Sequence, residues 1–195
     1  VMTRVICVEG PDQVGKATQS KMLVDHINRT GLGIATRVEI PYDDKITHRV
    51  LYWMLRNGLA KRFPNAFQWL QFVNRRLFQC TRLLRLFQRY DYIVFDRWSL
   101  SSVVYGEESG ANKKLVDFCY EHLFKPHATV VITVPSHSKR QDDDYEKDDS
   151  LQARVRTKYR DWAKTHKGCV LVEQIMPIQD THDYIVHNLR TKGLI

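Results

Sequence analysis

Hydrophobic positions along the chain follow two patterns that alternate. Short apolar runs are typical of buried strands, and segments with an apolar residue every three or four positions predict helices. The predicted strands are 4–8, 35–40, 92–95, 129–134 and 170–173, and the predicted helices are 16–29, 45–57, 64–89, 113–123, 151–166 and 178–190. Strands that alternate with helices predict an α/β fold with a parallel sheet covered by helices on both faces.

The longest predicted helix, residues 64–89, carries more apolar surface than one buried face needs. Its apolar residues recur every three or four positions, and Trp69, Phe72 and Phe78 widen the stripe. This width indicates contacts on more than one side of the helix. Burial within one subunit and packing against a second subunit are both open at this point.

Length and composition favour one folded domain over residues 1–195. The chain is 43% hydrophobic, and it shows neither a repeat nor a linker between domains. Residues 136–150 are polar and highly charged, which predicts a surface loop of the kind that closes over a site. No apolar run approaches the roughly 20 residues that span a bilayer, and the first residues do not resemble a signal peptide. We therefore expect a cytoplasmic protein that does not bind membranes.

Cysteine and histidine spacing gives no metal motif. Cys7, Cys80, Cys119 and Cys169 form no C-x-x-C pair, and the eight histidines include no H-E-x-x-H sequence. We expect four buried free thiols and no zinc site.

The net charge of +8 and the pI of about 9.4 have two interpretations. A basic protein binds nucleic acid, or it handles phosphorylated small molecules whose charges it offsets. Basic residues do recur along the long helix, but no aromatic RNA-binding signature accompanies them. Nucleic-acid binding is therefore the less favoured hypothesis.

The most specific motif is the run G-P-D-Q-V-G-K at residues 10–16, between a predicted strand and a predicted helix. In that position it predicts a phosphate-binding P-loop, in which glycines let backbone N–H groups face phosphate oxygens. The helix N-terminus adds partial positive charge, and Lys16 reaches the β- and γ-phosphates. The predicted ATP-binding residues are Gly10, Gln13, Val14, Gly15, Lys16, Ala17 and Thr18.

Ala17 departs from the usual P-loop, because a serine or threonine normally supplies a Mg²⁺-shell hydroxyl there. Thr18 follows, but one helical step turns its side chain about 100° away. A contact with the α-phosphate is the expected role for Thr18.

Four segments, in order along the chain, resemble the thymidylate kinase family. They are E-G-P-D-Q-V-G-K-A-T-Q-S at 9–20, Asn74-Arg75 on the long helix, D-R-W-S-L-S-S-V-V-Y at 96–105, and L-Q-A-R-V-R-T-K-Y at 151–159. The resemblance implies a P-loop NTPase fold with a five-stranded parallel sheet, and a homodimer formed through the helix at 64–89. It also implies transfer of phosphate from ATP, with Mg²⁺, to a deoxynucleoside monophosphate, most simply dTMP to dTDP.

The same resemblance implies roles around the transferring phosphate. Lys16 would contact the ATP phosphates, and Arg97 would bridge the donor and acceptor phosphates. Asp96 would order Mg²⁺ through water or clamp the acceptor phosphate. Independently, an Asp-Arg pair that follows a parallel strand lies at the sheet edge where such folds bind ligands.

Further residues are implied for the acceptor nucleotide. Asp12 would face the deoxyribose 3′-OH, and Tyr105 would lie under the sugar and leave no room for a 2′-OH. Arg75 would contact the thymine edge, and Ser101 would lie near the base.

Two departures from the family pattern fall in the acceptor site. Where the family has Phe-Pro-x-Arg, this chain has Ile40-Pro41-Tyr42-Asp43, so an acid replaces the phosphate-binding arginine. Gln71 stands where an aromatic residue commonly stacks on thymine, with Phe72 next to it. Pro41, Gln71 and Phe72 are predicted acceptor contacts, and another or modified pyrimidine stays open as the acceptor.

Gln13 marks a third departure, because some family members have a catalytic arginine there. Lys139 and Arg140, in the polar loop, are the predicted replacements. Together, Gln13 and Ala17 also leave open a catalytically weak nucleotide-binding protein.

Overall fold

The fold was analysed in a computed structural model that describes residues 2–135 and 148–195. Its sheet has five parallel strands: β1 (Arg4–Glu9), β2 (Ala35–Glu39), β3 (Tyr92–Asp96), β4 (Ala128–Ile132) and β5 (Cys169–Val172). The strand order is β2-β3-β1-β4-β5. The predicted α/β fold with a five-stranded parallel sheet is confirmed, and each predicted strand lies within two residues of an observed one.

Helices connect the strands. They are α1 (Lys16–Arg29), α2 (Thr47–Arg56), α3 (Leu59–Arg62), α4 (Pro64–Phe78), α5 (Leu84–Phe87), α6 (Ser99–Glu108), α7 (Lys113–Glu121), α8 (Asp149–Thr165) and α9 (Ile178–Thr191). The predicted helix 64–89 is α4 and α5 joined by a π-helical turn, Gln79–Leu83, whose flanking residues keep helical dihedral angles. The pattern did not predict α3 and α6.

Helices cover both faces of the sheet, as predicted. On one face, α1 and α9 pack Leu23, Ile27 and Leu189 against the strands. On the other face, α4 and α6 to α8 pack a larger aromatic core, in which the Phe95 and Trp98 rings stack 4.7 Å apart. Because both faces are covered, polar side chains concentrate where the strands end.

Two expectations need correction. Cys7 and Cys119 are buried free thiols as expected, but Cys80 is exposed and Cys169 is only partly buried. The polar segment also ends earlier than the predicted residue 150, because α8 begins at Asp149. Asp148 caps this helix by accepting a hydrogen bond from the Leu151 amide at 2.9 Å.

Within 2–135 and 148–195, we find no helix with the length and apolar character of a membrane span.

Candidate active site

The P-loop curls between the end of β1 and the start of α1. Gly10 has a φ of 145°, and a Cβ there would lie 2.2 Å from the Ile132 carbonyl oxygen. Gly15 precedes α1 with a φ of 90°. Both positions exclude larger residues, since L side chains rarely adopt these angles and Gly10 lacks the space. The predicted phosphate loop therefore has the backbone that its sequence requires.

Lys16, the first residue of α1, is buried and donates a hydrogen bond to the Pro11 carbonyl oxygen. Burial, and then the nearby charge of Arg97, lower the pKa of Lys16 to about 7. Phosphate oxygens at this position would favour its charged form. Val14 is buried in the core, so only its backbone can face phosphates, while Ala17 and Thr18 are exposed.

Asp12, within the P-loop, is the centre of a polar cluster. Its carboxylate pairs with the Arg97 guanidinium and accepts hydrogen bonds from the Tyr105 hydroxyl at 2.5 Å and the Gln152 amide at 3.2 Å. Burial alone would raise the pKa of Asp12, but Arg97, Lys16 and these two hydrogen bonds hold it below its usual value. The carboxylate is therefore charged and fixed in direction.

Gln152 was not among the predicted site residues. It lies on α8, 140 positions from Asp12, and its Oε1 also accepts from the Asp12 amide at 3.3 Å. The motif at residues 151–159 contained this residue, but nothing in its spacing pointed to Asp12. Gln152 thus connects α8 to the P-loop.

Arg97, directly after β3, also contacts the P-loop. Its Nη1 donates to the Gly10 carbonyl oxygen at 3.2 Å, and its guanidinium lies 5.7 Å from the centre of the Tyr105 ring. The backbone of Arg97 has a φ of 68°, which is uncommon for a residue other than glycine. Three predicted site residues, Asp12, Arg97 and Tyr105, are thereby brought together.

A buried carboxylate that the sequence did not single out supports this arrangement. Glu9, fully buried at the end of β1, accepts from the Trp98 amide at 2.7 Å, from the Ser101 amide and hydroxyl, and from the Tyr159 hydroxyl at 3.2 Å. It therefore joins β1, the start of α6 and α8. Ser101, predicted near the base, has its hydroxyl directed at Glu9.

Arg75 and Gln71 contact each other on α4, one turn apart. The Arg75 Nε donates to the Trp98 carbonyl oxygen at 3.1 Å, and its Nη1 donates to the Gln71 Oε1 at 3.2 Å. Burial lowers the pKa of Arg75 to about 10, still far above neutral pH. Phe72 instead packs its ring against Phe118 of α7, 5.9 Å between centres, so these contacts give no support to its predicted role at the base.

The segment after β2 is fixed by a side chain of α4. The Asn74 side chain accepts from the Tyr42 amide at 2.9 Å and donates to its carbonyl oxygen at 2.7 Å. Pro41, a predicted acceptor contact, directly precedes Tyr42, and the Ile40–Pro41 peptide bond is cis. Asp43 occupies the position of the family's arginine and is exposed. Its Oδ1 lies 3.9 Å from the His48 Nδ1.

Asp96 is the residue that the sequence predicts to order a metal ion. It ends β3, is buried, and lies close enough to Lys16 to influence its pKa. Within 2–135 and 148–195, no group of three metal-ligating side chains occurs. Mg²⁺ is commonly held by one carboxylate together with substrate phosphates and water, so the residues present fit a metal that arrives with ATP.

Comparison with known proteins agrees with this geometry. The thymidylate kinase family model matches residues 8–185. The chain belongs to the thymidylate kinase family. No curated protein sequence gives a significant match.

Two solved thymidylate kinases share the fold of this family member. The Candida albicans structure has a TM-score of 0.81 and 22% identity, over 99% of this chain and 93% of that one. The Ehrlichia chaffeensis structure has a TM-score of 0.78 and 20% identity, over 97% of this chain and all of that one. This thymidylate kinase family member is a P-loop nucleoside monophosphate kinase. Its predicted lid residues Lys139 and Arg140 lie outside the described residues.

Proposed function

We propose that the chain transfers the γ-phosphate of ATP to dTMP and releases dTDP and ADP. The position of Arg97 supports this proposal most directly. Its guanidinium contacts the P-loop at Gly10 and pairs with Asp12. In this proposal it would lie between the ATP phosphates and the sugar of the acceptor. Arg can hold oxygens of two phosphates at once, as transfer between nucleotides requires.

The other residues act by position and charge, since phosphoryl transfer asks little covalent chemistry of a protein. Lys16 and the P-loop amides hold the ATP phosphates. Asp12, oriented by Gln152, accepts from the acceptor's 3′-OH, and Arg75 contacts the base edge.

The electrostatic contribution has two further sources in this proposal. Asp96 would hold Mg²⁺ through a water of its shell, and the metal would supply positive charge that offsets the charge of the ATP phosphates. Lys139 and Arg140 supply the positive charge that Gln13 does not.

A coupled assay of ADP release with Mg-ATP tests the proposal. The acceptor panel is dTMP, dUMP, dCMP, dGMP, dAMP and 5-substituted pyrimidine deoxynucleotides. We expect dTMP to give the highest kcat/KM. Release of ADP with none of these acceptors would contradict the proposal and favour a nucleotide-binding protein without transfer.

A second candidate acceptor is another pyrimidine deoxynucleotide. The observation that favours it is Gln71, whose Oε1 already accepts from Arg75 and from the Ser102 hydroxyl at 3.0 Å. Its amide N–H groups can then donate to a base edge, a contact that a stacking ring does not make. The solved Candida albicans enzyme is described as having broad substrate specificity. A higher kcat/KM for dCMP or a modified pyrimidine than for dTMP would select this candidate.

Discrimination against ribonucleotides is expected to depend on the Tyr105 ring. If the ring fills the space of a 2′-OH, dTMP should exceed its ribose counterpart by more than tenfold in kcat/KM, at least ~1.4 kcal/mol in transition-state binding. Tyr105→Ala should narrow this ratio. The matched Tyr105→Phe variant keeps the ring, loses the hydroxyl bonded to Asp12, and should preserve the ratio. Equal use of both acceptors by the parent enzyme would remove Tyr105 from this role.

The missing hydroxyl at Ala17 should raise the Mg²⁺ requirement without abolishing activity. A water can fill the vacant ligand position, because the phosphates provide most of the metal binding. Ala17→Ser should lower the Mg²⁺ concentration for half-maximal rate, with the acceptor ranking unchanged. If the parent binds ATP but transfers no phosphate, and Ala17→Ser creates activity, the weak-binder hypothesis is correct.

We also propose a homodimer formed through the long helix, in a single-domain cytoplasmic enzyme. Trp69, Leu77 and Leu84 are apolar and 42–67% exposed along this helix, as expected of a surface that a second copy covers. Leu84→Glu should shift sedimentation from the dimer mass toward that of a 23.0 kDa monomer. A parent that sediments as a monomer would contradict the proposal.

A further inference from the structure

Arg37 on β2 is paired with the carboxylate that the proposed mechanism assigns to the metal. The Arg37 Nη2 donates a hydrogen bond to the Asp96 carboxylate. In the register of β2 and β3, Asp96 lies opposite Glu39, which is two residues after Arg37. The side chains of Arg37 and Asp96 are 28% and 8% exposed, so water screens the pair only in part. Arg37 belongs to none of the motifs at residues 9–20, 74–75, 96–105 and 151–159.

The same guanidinium also connects to the position that lacks its hydroxyl. The Arg37 Nε donates to the Ser20 Oγ at 2.8 Å, and the Ser20 hydroxyl donates to the Ala17 carbonyl oxygen at 3.0 Å. Ser20 is fully buried, one turn after Lys16 on α1. Arg37 therefore links Asp96 to the backbone of Ala17 through the Ser20 hydroxyl.

A cation bonded to Asp96 reduces the charge that this carboxylate offers to the water shell of Mg²⁺. The Asp96 Oδ2 that accepts from this guanidinium has less capacity left to accept from metal-bound water. The Glu39 carboxylate lies 3.3 Å from the Arg37 Nη1 and is exposed. Because exposed ion pairs are weak, Glu39 competes only weakly with Asp96 for the Arg37 guanidinium. Ala17 removes one metal ligand, and Arg37 weakens another contact.

We infer that Arg37 is a positioning residue that competes with Mg²⁺ for Asp96 and thereby sets how strongly nucleotide binding depends on the metal. This inference rests on the proposed function, because it takes Asp96 as the residue that serves the metal. Its expected signature is a parent enzyme in which Mg²⁺ improves nucleotide affinity only modestly.

Calorimetric titration with ADP, with and without Mg²⁺, measures this signature without any turnover. The quantity compared is the ratio of the dissociation constant without Mg²⁺ to that with saturating Mg²⁺. Arg37→Met should raise this ratio at least threefold over the parent. Arg29→Met removes the same charge from the exposed end of α1 and should leave the ratio unchanged. In an Asp96→Asn background, Arg37→Met should have no effect, because the contested carboxylate is gone.

Arg37→Lys covers the case in which the methionine variant does not fold. Lysine keeps the charge but cannot bond Asp96 and Ser20 together, so an intermediate ratio is expected. If the folded Arg37 variants show an unchanged or lower ratio, the inference is wrong. If the parent still binds ADP in that case, the proposed function is not affected. A parent that binds no ADP under either condition would overturn both.

Discussion

Arg97→Lys should lower kcat by about 10³-fold, with a much smaller change in the KM for ATP. The guanidinium pairs with Asp12 and bonds the Gly10 carbonyl oxygen, while an ammonium cannot hold two phosphates and Asp12 in one geometry. A cation that stabilises the transferring phosphoryl group contributes about 10³ to 10⁵ to kcat in related chemistry. Steady-state kinetics with saturating dTMP and Mg-ATP measures the effect.

Arg76→Lys is the matched control for that variant. Arg76 is exposed and donates to the His122 carbonyl oxygen at 3.2 Å, and it has no predicted role at the phosphates. Its substitution should leave kcat within a factor of two. Should Arg97→Lys retain more than a tenth of the parent kcat, Arg97 would not be the bridge between the two phosphates.

The sequence predicted the parts of the site that depend on local spacing. Gly10, Gly15 and Lys16 have a fixed spacing between a strand and a helix, and that context alone predicts the P-loop backbone. The alternation of strands and helices predicted a parallel sheet, and Asp96 and Arg97 followed from their place after a buried strand. These signals are local in the sequence, so they can be interpreted without knowing the strand order.

Pairings across the sheet could not be predicted in the same way. Arg37 meets Asp96 only because β2 lies beside β3, and Gln152 meets Asp12 only because α8 returns over the P-loop. The order β2-β3-β1-β4-β5 is not written in the hydrophobic pattern, which gives each strand's buried faces but not its neighbours. A charged residue within a predicted strand, such as Arg37, was the available signal that a partner existed.

The helix α6 was missed for a different physical reason. Seven of its ten residues are buried, among them serines as well as apolar side chains, so it has no polar face to set a helical period. Its start is instead specified by tertiary contacts, because Glu9 accepts from the amides of Trp98 and Ser101 in the first turn. Sequence periodicity has no access to a helix cap supplied from another strand.

That cap should be one of the largest single contributions to stability in the chain. In Glu9→Ala, the Trp98 and Ser101 amides and the Tyr159 hydroxyl lose a buried acceptor, and each unsatisfied group costs about 1–3 kcal/mol. The variant also removes a negative charge near Arg75 and Arg97, two buried cations. We expect the free energy of unfolding to fall by roughly 3 kcal/mol or more, and Tm by about 2–4 °C for each kcal/mol.

Glu9→Gln separates shape from charge. The amide oxygen can still accept from the Trp98 N–H, and the Ser101 and Tyr159 hydroxyls can rotate to accept from the new amide N–H groups. The free energy of unfolding should therefore fall clearly less in Glu9→Gln than in Glu9→Ala, and chemical denaturation at constant pH measures the difference.

Because Trp98 follows Arg97 directly, the alanine variant should also lower kcat beyond what its folded fraction explains. If the free energy of unfolding of Glu9→Ala lies within about 1 kcal/mol of the parent value, water replaces the carboxylate. In that case α6 and Arg97 keep their positions without Glu9.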